Sequence, residues 1–270
     1  MASDPAFSDR FRREEEIGES LNHPGLLKPV PDSDRSQSYL VTEWFDGAPL
    51  RKVLAESKKL PQVRAVRIAL NICDALEYIH GHGIVHRNLR PENILVDQAD
   101  QIKLVDFGVA AKEGSQRLTF TNLAQLLGGS PYISPEELAG KRGDARSDIY
   151  ALGMILYEMV TGSPSFARNE TFERLNQHPI PPSEIEPTIS LQLQEVIYRA
   201  LEREHKKRYA SAHDMSRDLR HLDRVVVSQR AELLEWRSKK LESTKKVLLY
   251  TAVALIAVII IILLIAFSHH

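Results

Sequence analysis

Two short motifs at a fixed spacing constrain this 270-residue chain more than any other feature of its sequence. The first reads HRNLRPEN over residues 86–93, and the second reads IKLVDFG over residues 102–108. Asp106 follows Asn93 by thirteen positions, and a carboxamide with a carboxylate supplies the hard oxygen ligands that Mg²⁺ prefers. Each motif alone would be a weak signal, and the pair is the informative feature.

Together the two motifs resemble the catalytic loop and the metal-binding loop of the eukaryotic-type Ser/Thr protein kinases. The resemblance runs from about residue 4 to about residue 222 and is closest to bacterial members of that family. It continues through YISPE at 132–136, SDIYALG at 147–153 and KRY at 207–209. It implies an α+β, protein-kinase-like fold with a reduced N-lobe and a mainly α-helical C-lobe, and an ion pair between Glu136 and Arg208.

The resemblance also assigns roles to single residues. Asn93 and Asp106 are the implied metal ligands of phosphoryl transfer. Thr42 stands at the gatekeeper position, and the implied nucleotide-facing residues are Glu43, Phe45 and Leu95. The implied structural and regulatory residues are Glu14 of the small-lobe regulatory helix, His86, Arg87, Phe107, Gly108, Glu136, Asp148 and Arg208.

Two positions of the catalytic loop depart from the family pattern. Asn88 stands where the family places the carboxylate that orients and deprotonates the substrate hydroxyl, and an amide cannot accept that proton. Arg90 stands where the family prefers lysine, a milder change that keeps a positive charge near the transferring phosphate. The catalytic loop therefore predicts impaired chemistry beside an intact metal site.

The segment before the regulatory helix is the second departure. Only about ten residues precede that helix, so neither the Gly-rich loop over the phosphates nor the strand with its lysine is expected in this chain. Glu14 would then lack a lysine partner, and it reads equally as a solvated charge on a helix. We therefore expect binding of ATP and Mg²⁺ to be weak or absent.

The segment before the Pro-Glu motif departs as well. Residues 128–132 either lack the family's threonine or shorten the turn by one residue, and both alignments disturb substrate placement. Three hydroxyls nearer its start are either phosphate acceptors or ordinary solvated groups, and Arg87 is available to pair with a phosphate there. These hydroxyls belong to Ser115, Thr119 and Thr121.

An apolar block closes the chain. Residues 247–267 contain no charge and, at 1.5 Å per residue, span roughly 30 Å as a helix, which matches a bilayer core. Basic residues dominate the segment before the block, at Arg237, Lys239, Lys240, Lys245 and Lys246. The positive-inside rule therefore predicts a single-pass anchor in the cell membrane, in contact with lipid, with the kinase-like body in the cytoplasm.

Charge and cysteine content exclude other classes of protein. The formal net charge is −1, so no basic excess favours nucleic acid as a partner. Cys73 is the single cysteine, which excludes an intramolecular disulfide, and it falls in an apolar stretch where it predicts core packing. Cytosolic protein partners are expected, but the sequence does not identify them.

Hydrophobic periodicity predicts the main elements. A short amphipathic helix is expected over 10–21, and two buried helices are expected over 62–80 and 149–160. Two further amphipathic helices are expected to begin near Ser190 and Ser211, and the second of them is expected to run to Trp236. A small hairpin is expected from 26–30 and 39–43, and the Pro-rich stretch 178–187 is read as a loop. The predicted divisions are an N-lobe remnant at 1–47, a C-lobe at 48–222, a helical connector at 223–246 and the membrane helix at 247–267.

Three hypotheses for function follow. The first is a membrane-anchored pseudokinase that acts as a cytosolic signalling or scaffolding module. The second is an active Ser/Thr kinase whose missing strands lie upstream of Met1 or on another chain. The third is a decaying gene fragment, and the undamaged apolar periodicity of the chain argues against it.

Overall fold

The computed structural model describes residues 5–30, 39–112, 130–165, 179–228, 230, 251 and 255. The chain divides into two compact units, residues 1–227 and 228–270. The helices of the first unit are α1 (Pro5–Ser20), α2 (Leu50–Ser57), α3 (Gln62–Gly81), α4 (Pro135–Leu138), α5 (Ala145–Thr161), α6 (Pro182–Ile185), α7 (Leu191–Ala200) and α8 (Ala212–Arg220). Its strands are β1 (Ala48–Pro49), β2 (Ile84–Val85), β3 (Ile94–Val96), β4 (Ile102–Leu104) and β5 (Ala111–Lys112), and 3₁₀ turns cover Pro91–Asn93, His205–Lys207 and Leu222–Arg224.

The core is built around α3, as its dense apolar pattern predicts. Buried side chains occur on several faces of this helix, which packs against both α5 and α8. Cys73 is completely buried within it, and burial raises the pKa of the thiol far above its ordinary value. The expected role of Cys73 in core packing is confirmed.

Helix α5 is the second buried helix, and its ends are set by local chemistry. Asp144 accepts a hydrogen bond from Arg146 and forms a reciprocal capping box with Ser147, which satisfies free N–H groups of the first turn. The helix ends at Gly162, whose φ of 80° is the left-handed conformation that glycine adopts without strain. Every residue from 147 to 161 is buried, so α5 is a core helix that supports the site.

Two small antiparallel sheets carry the loops of the site. One has the order β1-β3-β4, with Ile94 opposite Leu104 and Leu95 opposite Lys103, and the other pairs β2 with β5. The β3–β4 pairing places the two sequence motifs side by side. Their loops therefore leave the sheet close together.

The N-terminal part of the first unit consists of α1 and a short extended pair. Val30 N–H donates to Val41 O at 2.8 Å, and Glu43 N–H donates to Lys28 O at 2.9 Å, so the antiparallel pairing expected of the hairpin is present. Helix α1 begins five residues earlier than the sequence predicts and ends at Ser20. The turn of the hairpin lies outside the described residues.

Two predictions of secondary structure are wrong. The Pro-rich stretch contains helix α6, because Pro182 occupies the first helical turn, where its fixed φ is compatible with a helix. The helix expected from Ser211 to Trp236 ends at Arg220, because His221 leaves helical geometry and residues 225–228 have no regular structure. Residues 229 and 231–236 of that prediction, including Trp236, lie outside the described residues.

The second unit is described at four positions only. Thr251 and Leu255 are helical and exposed. Within the part of the chain that the structure describes, no helix is both long enough and apolar enough to cross a bilayer. The rest of the predicted span 247–267 lies outside that part, and so do Ser115, Thr119 and Thr121.

Candidate active site

Asp148, in the first turn of α5, holds the catalytic loop by its backbone. Its buried carboxylate accepts hydrogen bonds from the N–H groups of His86 and Arg87, each at 2.9 Å, and lies 2.9 Å from His80 Nε2. Burial by itself would raise the pKa of Asp148, but the bond to His80 and the nearby imidazoles lower it below its ordinary value. An ionised carboxylate therefore fixes the loop, and Arg87 adopts a left-handed φ of 61° there.

His86 joins this loop to the metal-binding loop. Its ring is fully buried, lies 3.2 Å from Val105 O through Nε2, and packs at a centroid distance of 5.0 Å against Phe107. Its Nδ1 accepts the N–H of Asn88, so Nε2 carries the proton. Burial lowers the pKa of His86, which keeps the imidazole neutral and the two loops in one fixed arrangement.

Three side chains form the centre of the site. Asn88 Nδ2 donates to Asp106 Oδ2 at 2.6 Å, and Asn93 Nδ2 lies 3.3 Å from the same oxygen. Asn93 also donates to the backbone oxygen of Asn88 at 2.8 Å, and Gly108 N–H donates to Asp106 Oδ1 at 3.4 Å. Asp106 has a left-handed φ of 67°, an uncommon conformation for a residue with a side chain. The position of the expected base thus presents an N–H donor to the carboxylate that is expected to bind the metal.

Glu14 faces this centre from α1. The residue is half-buried, and burial followed by the negative charge of Asp106 raises the pKa of its carboxyl group, partly offset by a hydrogen bond from the Asp106 backbone. Among the described residues, no lysine or arginine forms an ion pair with Glu14. Glu14 is therefore less solvated than an ordinary helix charge, because it is half-buried and feels the negative charge of Asp106.

Arg90 does not extend freely over the site. Its Nε donates to Glu92 Oε2 at 2.8 Å, and Arg51 Nε donates to the other oxygen of Glu92 at 2.9 Å. Burial would raise the pKa of Glu92, but these two hydrogen bonds lower it to about 2. The positive charge at the position of the family's lysine is thus neutralised by its own loop.

The residues expected to face a nucleotide are only partly brought together. Glu43 accepts the N–H of Lys28 at 3.1 Å and binds Lys103 Nζ, which also donates to Leu26 O at 3.1 Å. Glu43, Lys103 and Phe107 line a cavity of about 400 Å³ whose apolar walls include Leu21, Leu26 and Leu27. Phe45 and Leu95 are half-buried but are not among the residues that line this cavity.

The expected ion pair between Glu136 and Arg208 is present. Arg208 Nη1 and Nη2 each lie 2.7 Å from one oxygen of Glu136, and Ser147 Oγ donates to the same carboxylate at 2.7 Å. Burial opposes ionisation, yet these bonds lower the pKa of Glu136 to about 2. The pair links α4 to the segment before α8. It stabilises the wall of the site, the region around Glu136 and Asp148.

Comparison with known proteins agrees with this geometry. A family model described as the protein kinase domain matches residues 2–219. The chain belongs to the protein kinase family. It is 36% identical over 228 residues to the probable serine/threonine-protein kinase SCO3848 of Streptomyces coelicolor, covering 81% of this chain and 34% of that protein. It is also 36% identical to the serine/threonine-protein kinase PknB of Mycobacterium leprae, covering 81% and 36%, and 35% identical to the probable PknB of Corynebacterium glutamicum, covering 86% and 38%.

These relatives place the kinase domain among the bacterial Ser/Thr kinases of the eukaryotic type. The chain spans about a third of the length of the curated relatives that it matches. Use of ATP and Mg²⁺ is general in this family. The resemblance derived from the motifs, from HRNLRPEN to KRY, is therefore confirmed at the level of the family.

The side chains of this kinase domain fit the metal better than the phosphates. Asp106 and Asn93 lie close together, with Asn93 Nδ2 3.3 Å from Asp106 Oδ2, and these two residues would hold Mg²⁺, which would supply charge neutralisation when bound. Phosphates also need a cation from the protein, and among the described residues no lysine or arginine contacts Asp106 or Glu14. Among the described residues, the side chains expected to hold a metal lie together, and no cation accompanies them to bind phosphates.

Three residues of the site were missed by reasoning from the sequence. Lys103 binds Glu43 across the sheet, Arg51 binds Glu92, and Glu137 lies buried behind the catalytic loop. Each is an ordinary charged residue in a helix or strand, so only its tertiary partner distinguishes it. The one available signal was that Glu136 and Glu137 are adjacent. Neighbouring residues of a short helix point in different directions, so one of the two acids lies on its inner face.

Proposed function

We propose that this kinase domain is catalytically impaired and acts as a membrane-anchored module that binds cytosolic proteins. The hydrogen bond from Asn88 to Asp106, at 2.6 Å, carries this proposal. An amide at this position cannot accept the proton of a substrate hydroxyl, and losing a general base typically costs about 10²- to 10⁴-fold in rate. The described contacts of Asp148 with the catalytic loop and of Glu136 with Arg208 support a stable framework for a binding surface.

Weak nucleotide binding is part of the same proposal. The metal ligands are present, but no described cation accompanies Glu14 and Asp106 to hold phosphates. ATP with Mg²⁺ is expected to raise the melting temperature of the chain by at most about 2 °C, since stabilisation by a ligand grows only with its concentration above Kd. A large shift that depends on Mg²⁺ would contradict weak binding.

Phosphotransfer provides the direct test of impairment. The 270-residue chain should not measurably label a generic protein substrate with γ-phosphate. Asn88→Asp alone should not restore labelling, because the described residues also provide no cation to bind the phosphates. Asp106→Asn in each background supplies the matched control, since it removes the metal carboxylate. Robust labelling by the unmodified chain that is lost in Asp106→Asn would overturn the proposal.

An active kinase completed by additional strands is the second candidate. The observation that favours it is the half-buried pair of acids, Glu14 and Asp106, which is arranged to receive a cation from outside the described residues. Reading the DNA upstream of Met1 would reveal coding strands. An extended chain that carries Asn88→Asp and phosphorylates protein, where Asn88→Asp in the 270-residue chain does not, would establish this candidate.

Membrane anchoring rests on the apolar block 247–267 and the basic residues before it. Deletion of residues 247–270 should move the protein from the membrane fraction to the soluble fraction. Protease added outside intact cells should leave residues 1–246 uncut. Cleavage of the kinase domain from outside would reverse the orientation and remove a cytosolic role.

A further inference from the structure

The side-chain amide of Asn88 lies closer to the Asp106 carboxylate than any other hydrogen-bond donor among the described residues. Asn88 Nδ2 donates to Asp106 Oδ2 at 2.6 Å, whereas Asn93 Nδ2 lies 3.3 Å from that oxygen and Gly108 N–H donates to Oδ1 at 3.4 Å. A distance of 2.6 Å is shorter than the usual N–H···O distance of about 2.9–3.0 Å. Asn88 is therefore the main hydrogen-bond partner of this carboxylate.

Both amides present nitrogen, and not oxygen, to Asp106. Asn93 Nδ2 also donates to the backbone oxygen of Asn88 at 2.8 Å, and that bond fixes which end of the Asn93 amide faces Asp106. Asparagine binds Mg²⁺ and similar cations through its carbonyl oxygen. Two N–H groups therefore surround Asp106 Oδ2, one of the oxygens that is expected to bind a metal.

The amide at position 88 makes this contact favourable. Two carboxylates at such a distance repel each other, so an aspartate at position 88 would not approach Asp106 in the same way. Asparagine has nearly the shape of aspartate but offers two N–H donors instead of a negative charge. The change at position 88 therefore removes a base and also adds an attraction to Asp106.

Both sides of the contact are held by neighbouring backbone groups. The N–H of Asn88 donates to His86 Nδ1, and the N–H of His86 donates to the buried Asp148. His86 Nε2 lies 3.2 Å from the backbone oxygen of Val105, the residue before Asp106. The two loops cannot separate without breaking this network, so access to Asp106 Oδ2 requires the Asn88 side chain itself to turn. Asn88 is half-buried, and its amide can turn toward solvent.

We propose that the Asn88 amide is an internal competitor for the metal position of Asp106. Asn88 must turn away from Asp106, and Asn93 must turn its carbonyl oxygen toward Asp106, before these residues hold a divalent cation. The hydrogen bonds lost in these two moves lower the affinity for the cation. The inference rests on the proposed impairment and deepens it, because it gives weak binding of ATP with Mg²⁺ a cause within the catalytic loop.

Binding of Mn²⁺ without nucleotide tests the competition in the full chain. The electron paramagnetic resonance signal of free Mn²⁺ measures how much of the ion is bound. Asn88→Ala should bind Mn²⁺ about 10-fold more tightly than the unmodified chain, because one hydrogen bond to a charged group no longer has to break. Equal affinity in the two proteins, or weaker binding by Asn88→Ala, would overturn the proposal.

Asp106→Asn identifies the Mn²⁺ that binds at this carboxylate. Combined with Asn88→Ala, it should abolish the gain in affinity, and any Mn²⁺ that the double variant still binds belongs to other sites. A gain that persists in the double variant would overturn the proposal, because the Asp106 carboxylate would then have no part in it.

Asn71→Ala is the matched control. The half-buried amide of Asn71 also donates a hydrogen bond across the fold, to the backbone oxygen of Asp100 at 2.8 Å, but Asp100 belongs to the turn between β3 and β4. This variant should lower the melting temperature without changing the affinity for Mn²⁺. An equal gain in affinity in Asn71→Ala would overturn the proposal, because loosening of the fold would then explain the effect.

Asn88→Asp covers the case in which Asn88→Ala does not fold. Aspartate keeps the size of the side chain, removes the N–H donors and adds a negative charge, so this variant should also bind Mn²⁺ more tightly than the unmodified chain. Without Mn²⁺ its melting temperature should fall, because two acids then face each other, and Mn²⁺ should restore it. Unchanged affinity for Mn²⁺ in this variant would overturn the proposal.

The competition by Asn88 and the impairment of the kinase fail in different experiments. Phosphotransfer by the unmodified chain would overturn the impaired-kinase proposal and leave the ratio of Mn²⁺ affinities unchanged. Equal Mn²⁺ affinities without phosphotransfer would overturn the competition by Asn88 and leave the impairment in place.

Discussion

Glu136 and Glu14 are acids of the same kind in two regions of the domain, and they behave in opposite ways. Both are half-buried helix residues, and burial by itself would raise the pKa of either carboxyl group. Glu136 meets the guanidinium of Arg208 on both oxygens, and its pKa falls to about 2. Glu14 meets Asp106, and its pKa rises. The partner, more than the burial, decides whether a buried acid stabilises its region.

The same contrast separates the wall of the site from its centre. The wall around Glu136 and Asp148 is satisfied by cations and backbone N–H groups within the chain. The centre around Asp106 has two amides and a second acid as neighbours, and within the described residues it lacks a cation of its own. Completing or breaking one of these charge pairs is therefore the most direct test of the contrast.

The largest effect is expected from Arg208→Ala. It leaves the Glu136 carboxylate buried and unpaired, which costs about 3–5 kcal/mol of the free energy of unfolding. Lys207→Ala is the control, because its pair with Glu204 is exposed and contributes about 0–1 kcal/mol. Denaturant titration measures both. A loss below about 1 kcal/mol for Arg208→Ala would show that the pair does not stabilise the wall.

The next effect is a pH dependence at Glu137, the acid beside Glu136. Its carboxylate accepts a hydrogen bond from Ser134 Oγ at 2.6 Å, its Oε1 has no partner among the described residues, and burial raises its pKa from 4.5 to about 7. Its stabilising contribution is fully present below pH 4.5 and is lost as the pH rises through 7. The rise of the pKa from 4.5 to about 7 corresponds to roughly 3 kcal/mol in the free energy of unfolding.

Glu137→Gln removes this dependence. Relative to the unmodified protein, the variant should gain about 3 kcal/mol in free energy of unfolding between pH 4 and pH 8. Melting curves across that range measure the gain, with the exposed Glu204→Gln as the control that should not show it. Parallel curves for the variant and the unmodified protein would contradict the raised pKa.

The smallest effect is expected from Glu14→Gln. Neutralising this side chain removes its repulsion with Asp106, so the melting temperature should rise by about 1–2 °C above neutral pH. The raised pKa means that the gain should disappear as the pH falls and Glu14 takes up a proton. Glu19→Gln, an exposed acid on the same helix, should change nothing. A fall in melting temperature would indicate a cation beside Glu14.

Reasoning from the sequence predicted the helices of the core and the order of the motifs well. The apolar runs in α3 and α5 are long enough to be unambiguous, and their bounds differ from the prediction by a few residues. It failed at Ser211–Trp236, where apolar spacing continues but the backbone leaves the helix at His221. Periodicity indicates which side chains are apolar and does not reveal where backbone geometry changes.

The sequence by itself determined the family, the pairing of Glu136 with Arg208 and the amide at position 88, because these depend on residue identity at a fixed motif position. Only the tertiary structure decided that Asn88 donates to Asp106, that Glu14 faces an acid and that Arg51 joins Glu92 to Glu158. These contacts connect residues 18, 92 and 107 positions apart, and the last involves α2 and α5. The physical reason is that a charge acts over a few ångströms in space, whereas a motif specifies only positions along the chain.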